Sequence, residues 1–265
     1  VRLVLEVQFG ITLTDIYTGK VNELSREAEE ELEKIISRLE RSEPVQYVLG
    51  RETFCGRTFH VAPGVLIPRP ETEVLCHWIE EDYDRPYCAL QPPLPLQILD
   101  VGTGSGCIAV TLAADLRNSA VTAWDISGDA LLIARENVHQ YQMRVELKVE
   151  DALHPSDSAM QQKFDVIVSN PPYICDKERT AMAKNVLAYE PETALFVPDD
   201  DPLRFYRAIA EYGLQVFSEE GALYFETNPL YINKVKEMLS SLGYKQIKQR
   251  EDQFGKLRFT KAIRP

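Results

Sequence analysis

Leu96-Gln97-Ile98-Leu99-Asp100-Val101-Gly102-Thr103-Gly104-Ser105-Gly106 is the stretch whose reading decides the fold. The first six residues form a short, mostly apolar run that reads as a buried strand. Residues at helical spacing, Ile108, Ala109, Leu112, Ala113 and Leu116, follow at once. Glycines at alternate positions between strand and helix let the backbone approach a ligand closely. The dinucleotide fingerprint needs its third glycine one position later, where this chain has Cys107, and no phosphate-binding Lys-Ser/Thr pair is present. A nicotinamide cofactor is therefore disfavoured and a phosphate loop is not formed. A nucleoside cofactor without phosphates remains.

Working outward, Val121–Asp125, Val145–Glu150, Phe164–Ser169 and Ala222–Glu226 read as further strands, with a helix from Ser127 or Asp129 to about Gln140. Strand alternating with helix at this spacing predicts an α/β fold, a mostly parallel sheet covered on both faces. Asp201 with Pro202, and Asn228 with Pro229, are expected to open two more helices, the second running through Leu242 to Gly243. Lys245–Gln249 and Lys256–Ile263 are expected to close the sheet as an antiparallel pair. Asp125 ends the strand after the glycine turn, where a carboxylate accepts from two ribose hydroxyls. Asp151 follows the next strand and either accepts from an adenine amine or simply caps a turn.

The strand Phe164–Ser169 runs into Asn170-Pro171-Pro172-Tyr173 at the sheet edge where open α/β folds bind ligands. Two consecutive prolines have no N–H groups, so the turn offers carbonyl oxygens without matching donors, beside the Asn170 side-chain acceptor. Such a turn is shaped to hold an NH2 group, and the flat face of Tyr173 suits a planar amide or a base. Residues 174–200 are expected to be an irregular functional loop.

Ahead of the sheet, residues 1–50 are expected to be helical, with Ala28, Leu32, Ile35, Ile36 and Leu39 on one stripe and Pro44 ending that helix. Glu52 to Ile67 suggests a hairpin. Leu66-Ile67-Pro68-Arg69-Pro70-Glu71-Thr72-Glu73 then opens a helix carrying Val74, Leu75, Trp78 and Ile79, and residues 84–95 form a Pro-rich connector. The predicted domains are 1–50, 51–95 and 96–265.

The chain has 265 residues, 45% of them hydrophobic, which is ordinary for a soluble domain; no membrane-length apolar run or leader pattern is visible. A soluble, cytoplasmic protein is expected. Val1-Arg2-Leu3-Val4-Leu5 begins in the middle of an apolar pattern, so further sequence is expected ahead of it. Five cysteines and four histidines are scattered without metal-site spacing, and no metal is expected. With 41 acidic against 29 basic residues the net charge is −12, which opposes counterion-release binding to nucleic acid. A basic protein partner or a small ligand suits this balance better.

The glycine turn, Asp125, Asp151 and Asn170–Tyr173 together resemble class I methyltransferases that use S-adenosyl-L-methionine. Pro44-Val45-Gln46-Tyr47-Val48-Leu49-Gly50, then Leu66 through Glu73, then Asn170 through Tyr173, are more closely similar to the HemK/PrmC family of protein-(glutamine-N5) methyltransferases. That resemblance covers nearly the whole chain. It implies a Rossmann-like seven-stranded sheet, a small N-terminal helical substrate-recognition domain and a hairpin connector. It also implies methylation of the Gln of the Gly-Gly-Gln motif in class 1 peptide chain release factors, with S-adenosyl-L-homocysteine as product. Carried over, it places the cofactor on Asp100, Gly102, Thr103, Gly104, Ser105, Gly106, Asp125, Ile126, Asp151, Ala152, Pro68 and Asn170. Asn170, Pro171 and Tyr173 would be catalytic, and Pro172, Arg69 and Glu71 would join them in holding substrate at a mouth lined by Pro68 to Thr72. Two departures stand out: the N-terminal domain is expected to be shortened, and Glu226-Thr227-Asn228 stands where many relatives have Glu-Ile-Gly. The same turn would also hold an exocyclic adenine or cytosine amine of DNA, or a glutamine of a ribosomal protein. Net charge and the small appendage argue against DNA.

Overall fold

A computed structural model describes residues 2–83 and 94–265. Most of the predicted Pro-rich connector, with Cys88, lies outside the described residues. The N-terminal helices are α1 (Arg2–Phe9), α2 (Leu13–Tyr17), α3 (Arg26–Glu40) and α4 (Val45–Leu49), and the hairpin β1 (Arg51–Phe54) and β2 (Arg57–His60) leads to α5 (Pro70–Tyr83). The alternating part follows as β3 (Leu96–Val101), α6 (Cys107–Asp115), β4 (Ser119–Asp125), α7 (Gly128–Gln140), β5 (Val145–Val149) and β6 (Phe164–Ser169). Beyond it come β7 (Ile174–Cys175), α8 (Lys184–Tyr189), α9 (Glu192–Leu195), β8 (Phe196–Val197), α10 (Arg204–Val216), β9 (Phe217–Glu226), α11 (Ile232–Ser241), β10 (Lys245–Glu251) and β11 (Leu257–Ile263). Among the described residues no helix is long and apolar enough to cross a membrane.

A seven-stranded sheet has the order β10-β11-β9-β6-β3-β4-β5; β9, β6, β3, β4 and β5 are parallel, and β11 runs antiparallel between β9 and β10. The chain adds β4 and β5 on one side of β3, then crosses back to lay β6 and β9 on the other. The strand order therefore reverses between β3 and β6, and the crevice outside their C-terminal ends is where such sheets bind ligands. Ser169 Oγ donates to Val101 O at 2.6 Å and ties the two ends together.

Successive strand residues face opposite layers, as a period of two requires. Ile98, Val166 and Tyr224 pack with Phe54, Phe59, Leu75 and Ile79 of the hairpin and α5. Their neighbours Leu99, Ile167 and Phe225 pack with Tyr206, Ile209, Val235 and Leu239 of α10 and α11. Both faces of the central strands are thus buried, which is why these runs carry so few polar residues. A smaller cluster of Val4, Ile35 and Val48 holds α1, α3 and α4 together.

Several element boundaries depart from expectation. Helix α3 ends at Glu40 rather than Pro44: Arg41 caps it, Ser42 turns left-handed at φ 64°, and Pro44 opens α4. Residues 174–200 are not irregular, because β7 and β8 pair in parallel and α8 and α9 lie between them. The next helix starts at Arg204, since the Asp201 carboxylate accepts from the Arg207 guanidinium at 2.9 and 3.0 Å instead of capping the chain. Helix α11 starts at Ile232: Asn228 Oδ1 accepts from Leu230 N in a tight turn, and its NH2 end points into the core toward Tyr173 O and Glu178. Strand β9 begins earlier than its apolar run, at Phe217.

Gly106 is the N-cap of α6 at φ 80°, and a Cβ there would stand 3.2 Å from Ala134 Cβ of α7. Both the left-handed backbone and the close approach require glycine. Gly106→Ala is expected to lower stability by about 1–2 kcal/mol, read from the urea midpoint at unchanged m-value.

Candidate active site

The glycine turn leaves the floor of the crevice open. Gly102 and Gly104 have φ of 75° and 55°, and an added Cβ would meet nothing within 4 Å at either. The turn is held from beneath, where the Gly102 and Thr103 N–H groups both donate to Trp124 O. Asp100 is fully buried below it; Thr103 Oγ1 donates to its Oδ2 at 2.6 Å, while Oδ1 has no hydrogen-bond partner at normal distance and angle among the described residues. Burial pushes the Asp100 pKa up to about 7, the Thr103 hydroxyl opposes that rise and the nearby Asp125 adds to it. The Ala109 N–H at the start of α6 opposes the rise as well, and a carboxylate buried beneath an open turn favours a cationic group placed over that turn.

Along the same edge, Asp125 Oδ2 accepts from Gly104 N at 2.8 Å and Oδ1 from Ser127 N at 2.9 Å, leaving a lone pair on each oxygen for two further donors. Burial raises its pKa, and those N–H groups oppose the rise. Ile126 is 62% exposed and Val149, which pairs with Asp125 across β4 and β5, is 65% exposed, so an apolar shelf lies beside the carboxylate. Asp151 caps its own turn: Oδ1 accepts from Leu153 N and Oδ2 meets His154 Nδ1. Burial works to raise its pKa, but the His154 and Leu153 contacts leave it lowered. Ala152 packs on the α10 layer behind it. An open turn, a carboxylate buried beneath it, a half-free carboxylate and an apolar shelf fit a nucleoside carrying a cationic tail.

Across the crevice, three distant chain segments meet in one hydrogen-bonded network. Glu226, at the end of β9, is 1% exposed; Thr72 Oγ1 donates to its Oε2 at 2.6 Å and Tyr173 OH to its Oε1 at 3.0 Å. Asn170 Nδ2 in turn donates to Thr72 Oγ1 at 3.3 Å. Asn228 Nδ2 donates to Tyr173 O and to Glu178, and so fixes the turn from the far side. Burial raises the Glu226 pKa, opposed by Thr72, Arg258 and Tyr173 and reinforced by Glu71. Burial and the Glu226 charge hold the Tyr173 hydroxyl protonated, so it serves as a donor and not as a base. Pro171 is buried and Pro172 half-buried beside it.

Arg69 does not stand free at the mouth. Its guanidinium donates to Glu190 Oε1 at 2.6 Å, and Ile67 N donates to Glu190 Oε2 at 3.1 Å, so this buried carboxylate clamps the Pro68-Arg69-Pro70 segment to the end of α8. Arg69 still lines a cavity of about 180 Å³ with Leu66, Asn170, Tyr173, Met182 and Leu195. That volume is below the roughly 300–1,000 Å³ of small-molecule sites and has the scale of one side chain. Pro68 is buried beside it, and Glu71 is half-buried in the first turn of α5. A larger depression of about 630 Å³ opens near Gln97, Ser119 and Lys163, at the opposite end of the strands, away from the C-terminal edge that binds ligands in this architecture.

The sequence reading missed Glu226 and Glu190 as members of the site. The available signal was a lone acid closing the apolar run Ala222-Leu223-Tyr224-Phe225, and a Glu set immediately before Pro191.

Residues 88–195 match the methyltransferase small domain family and residues 1–50 the PrmC N-terminal domain family. The release factor glutamine methyltransferase of Bacteroides thetaiotaomicron is 46% identical over 255 residues, 96% of this chain and 88% of that one. Its namesake in Streptococcus pneumoniae is 36% identical over 251 residues, 94% of this chain and 85% of that one. A methyltransferase structure from Pyrococcus furiosus superposes with a TM-score of 0.55 at 19% identity, over 77% of this chain and 87% of that one, and shares the fold. With the parallel sheet, the open glycine turn and the Asn-Pro-Pro-Tyr network all in place, the chain belongs to the release factor glutamine methyltransferase family.

Proposed function

We propose that the protein transfers a methyl group from S-adenosyl-L-methionine to the side-chain amide nitrogen of the glutamine in the Gly-Gly-Gln loop of a class 1 release factor. The observation that carries this reading is the Asn170 side chain, held by its NH2 end to Thr72 and lining a cavity of side-chain size beside two donor-free prolines. The cofactor is assigned to Asp100, the Gly102–Gly106 turn, Asp125, Ile126, Asp151 and Ala152, with Pro68 and Asn170 on its substrate side. The N-terminal helices of residues 1–50 are assigned to substrate recognition.

When bound, the cofactor supplies an electrophilic methyl on a sulfonium. An amide nitrogen is a poor nucleophile because its lone pair is delocalised into the carbonyl. Asn170 Oδ1 and the Pro171 carbonyl accept one N–H each, hold the nitrogen in place and favour a pyramidal geometry. Both oxygens become better partners as the nitrogen gains positive charge, so their stabilisation grows toward the transition state. The Tyr173 ring packs against the planar amide. Positioning takes the place of a strong base, and the extra proton leaves after transfer.

The test is transfer of labelled methyl to a purified release factor, to its Gly-Gly-Gln Gln→Ala variant, to ribosomal proteins and to duplex DNA. Label on the unmodified factor alone is the expected result. Label on DNA or on a ribosomal protein, with none on the factor, would overturn the assignment.

A further inference from the structure

We infer that Thr72 and Glu226 are positioning residues that set which end of the Asn170 side chain faces the substrate. The inference rests on the glutamine reading above and concerns how its key acceptor is aimed.

An ionised carboxylate only accepts, and Glu226 is closed off from water. Thr72 has a single hydroxyl proton and gives it to Glu226 Oε2 at 2.6 Å, a short, charge-assisted bond. Toward Asn170, Thr72 Oγ1 therefore presents only lone pairs. The group that meets it at 3.3 Å must be the NH2 end of the amide, and Asn170 Oδ1 is turned away as an acceptor. The terminal torsion of asparagine is broad and nearly two-fold, so a side chain without this partner can flip. A flipped Asn170 would point NH2 at the substrate's NH2, donor against donor.

The second oxygen of the same carboxylate accepts from Tyr173 OH at 3.0 Å. One buried acid therefore orients both polar side chains of the Asn170–Tyr173 turn, from a strand that neither belongs to. Burial raises the Glu226 pKa, and the Thr72 and Tyr173 hydroxyls, with the Arg258 guanidinium that is hydrogen-bonded to Asp252, oppose that rise and favour the charged form on which this ordering depends.

The experiment compares Thr72→Val, which keeps the shape and removes the hydroxyl, with Thr72→Ser, which restores it, and with Glu226→Gln. Methyl transfer to the release factor gives kcat and both KM values, and the Asn170 side-chain NH2 resonances are followed by nitrogen-15 NMR. Thr72→Val is expected to lower kcat by about tenfold or more, with both KM values within about twofold of wild type, and Thr72→Ser to recover it. Thr72→Val should add nothing to Asn170→Ala, because it acts through that side chain, and should shift the Asn170 NH2 signals. A kcat loss that persists in the Asn170→Ala background, or unchanged Asn170 NH2 signals in Thr72→Val, would overturn the relay. Wild-type enzyme that methylates no release factor overturns the glutamine reading instead. The NH2 signals judge the relay without any turnover.

Discussion

Asn170→Ala is expected to reduce kcat for methyl transfer by about 10²–10³-fold, the loss typical when one preorganised transition-state partner is removed. Cofactor affinity should change far less, because the open glycine turn and the carboxylates of Asp100 and Asp125 lie on other strands. The asymmetry follows from the chemistry of the acceptor. In the ground state the substrate amide can hydrogen-bond to water as well as to Asn170, so the side chain adds little to binding. As the nitrogen becomes positive, an oxygen already aimed at its N–H gains strength that mobile water supplies only by reorganising. Single-turnover transfer with pre-bound cofactor isolates this step. A drop smaller than about tenfold would remove Asn170 from the transition state. An equal loss in cofactor binding would make it part of the cofactor cradle alone.

Cofactor affinity is expected to weaken by roughly tenfold for each pH unit below about 7, and Asp100→Asn to flatten that dependence. In the free protein the Asp100 carboxyl carries a proton up to about pH 7, because burial disfavours the charge and Asp125 opposes it from the next strand. A cationic ligand group held above the glycine turn would favour the ionised form of the carboxyl beneath it, so binding below pH 7 is expected to release that proton. Calorimetry in buffers of different ionisation enthalpy reads the release directly; binding at pH 6 without proton release would sink the assignment. The same shift has a consequence for stability, with its sign opposite to that of a salt-bridged acid. Between the ordinary carboxylate value and about 7, the folded state holds a proton that the unfolded chain has lost. Asp100 thus makes the ligand-free protein less stable as pH rises through that window, and Asp100→Asn should gain on wild type over the same interval.

The glycine turn and Asp125 were more legible in the sequence than the hydrogen-bonded network around Asn170, and the reason is locality. Gly102, Gly104 and Gly106 act through backbone conformation within a few residues, and Asp125 lies at the end of the next strand, so spacing along the chain is nearly spacing in space. The Asn170–Tyr173 turn was equally visible, because two prolines remove donors wherever they fold. The ion pair that holds Arg69 in place was invisible, because its partner, Glu190, lies 121 positions away along the chain. Asp201 and Asn228 looked like helix caps; Asn228 Oδ1 does accept from Leu230 N, but the two side chains also bind Arg207 and the Tyr173 turn, and those contacts are not contained in local rules. Residues 174–200 looked irregular because a two-residue strand such as β7 or β8 is too short to show a period.

By itself the sequence determined the alternation of buried strands and helices, the edge of the sheet at which ligands bind and the chemical character of both turns. Each of these follows from short-range rules of period, backbone freedom and missing donors. The tertiary structure alone decided which end of Asn170 faces the crevice. That choice depends on a hydroxyl from α5 and a carboxylate from β9, 154 positions apart in the chain, meeting at 2.6 Å in a site closed to water, where each polar atom must find its partner within the protein.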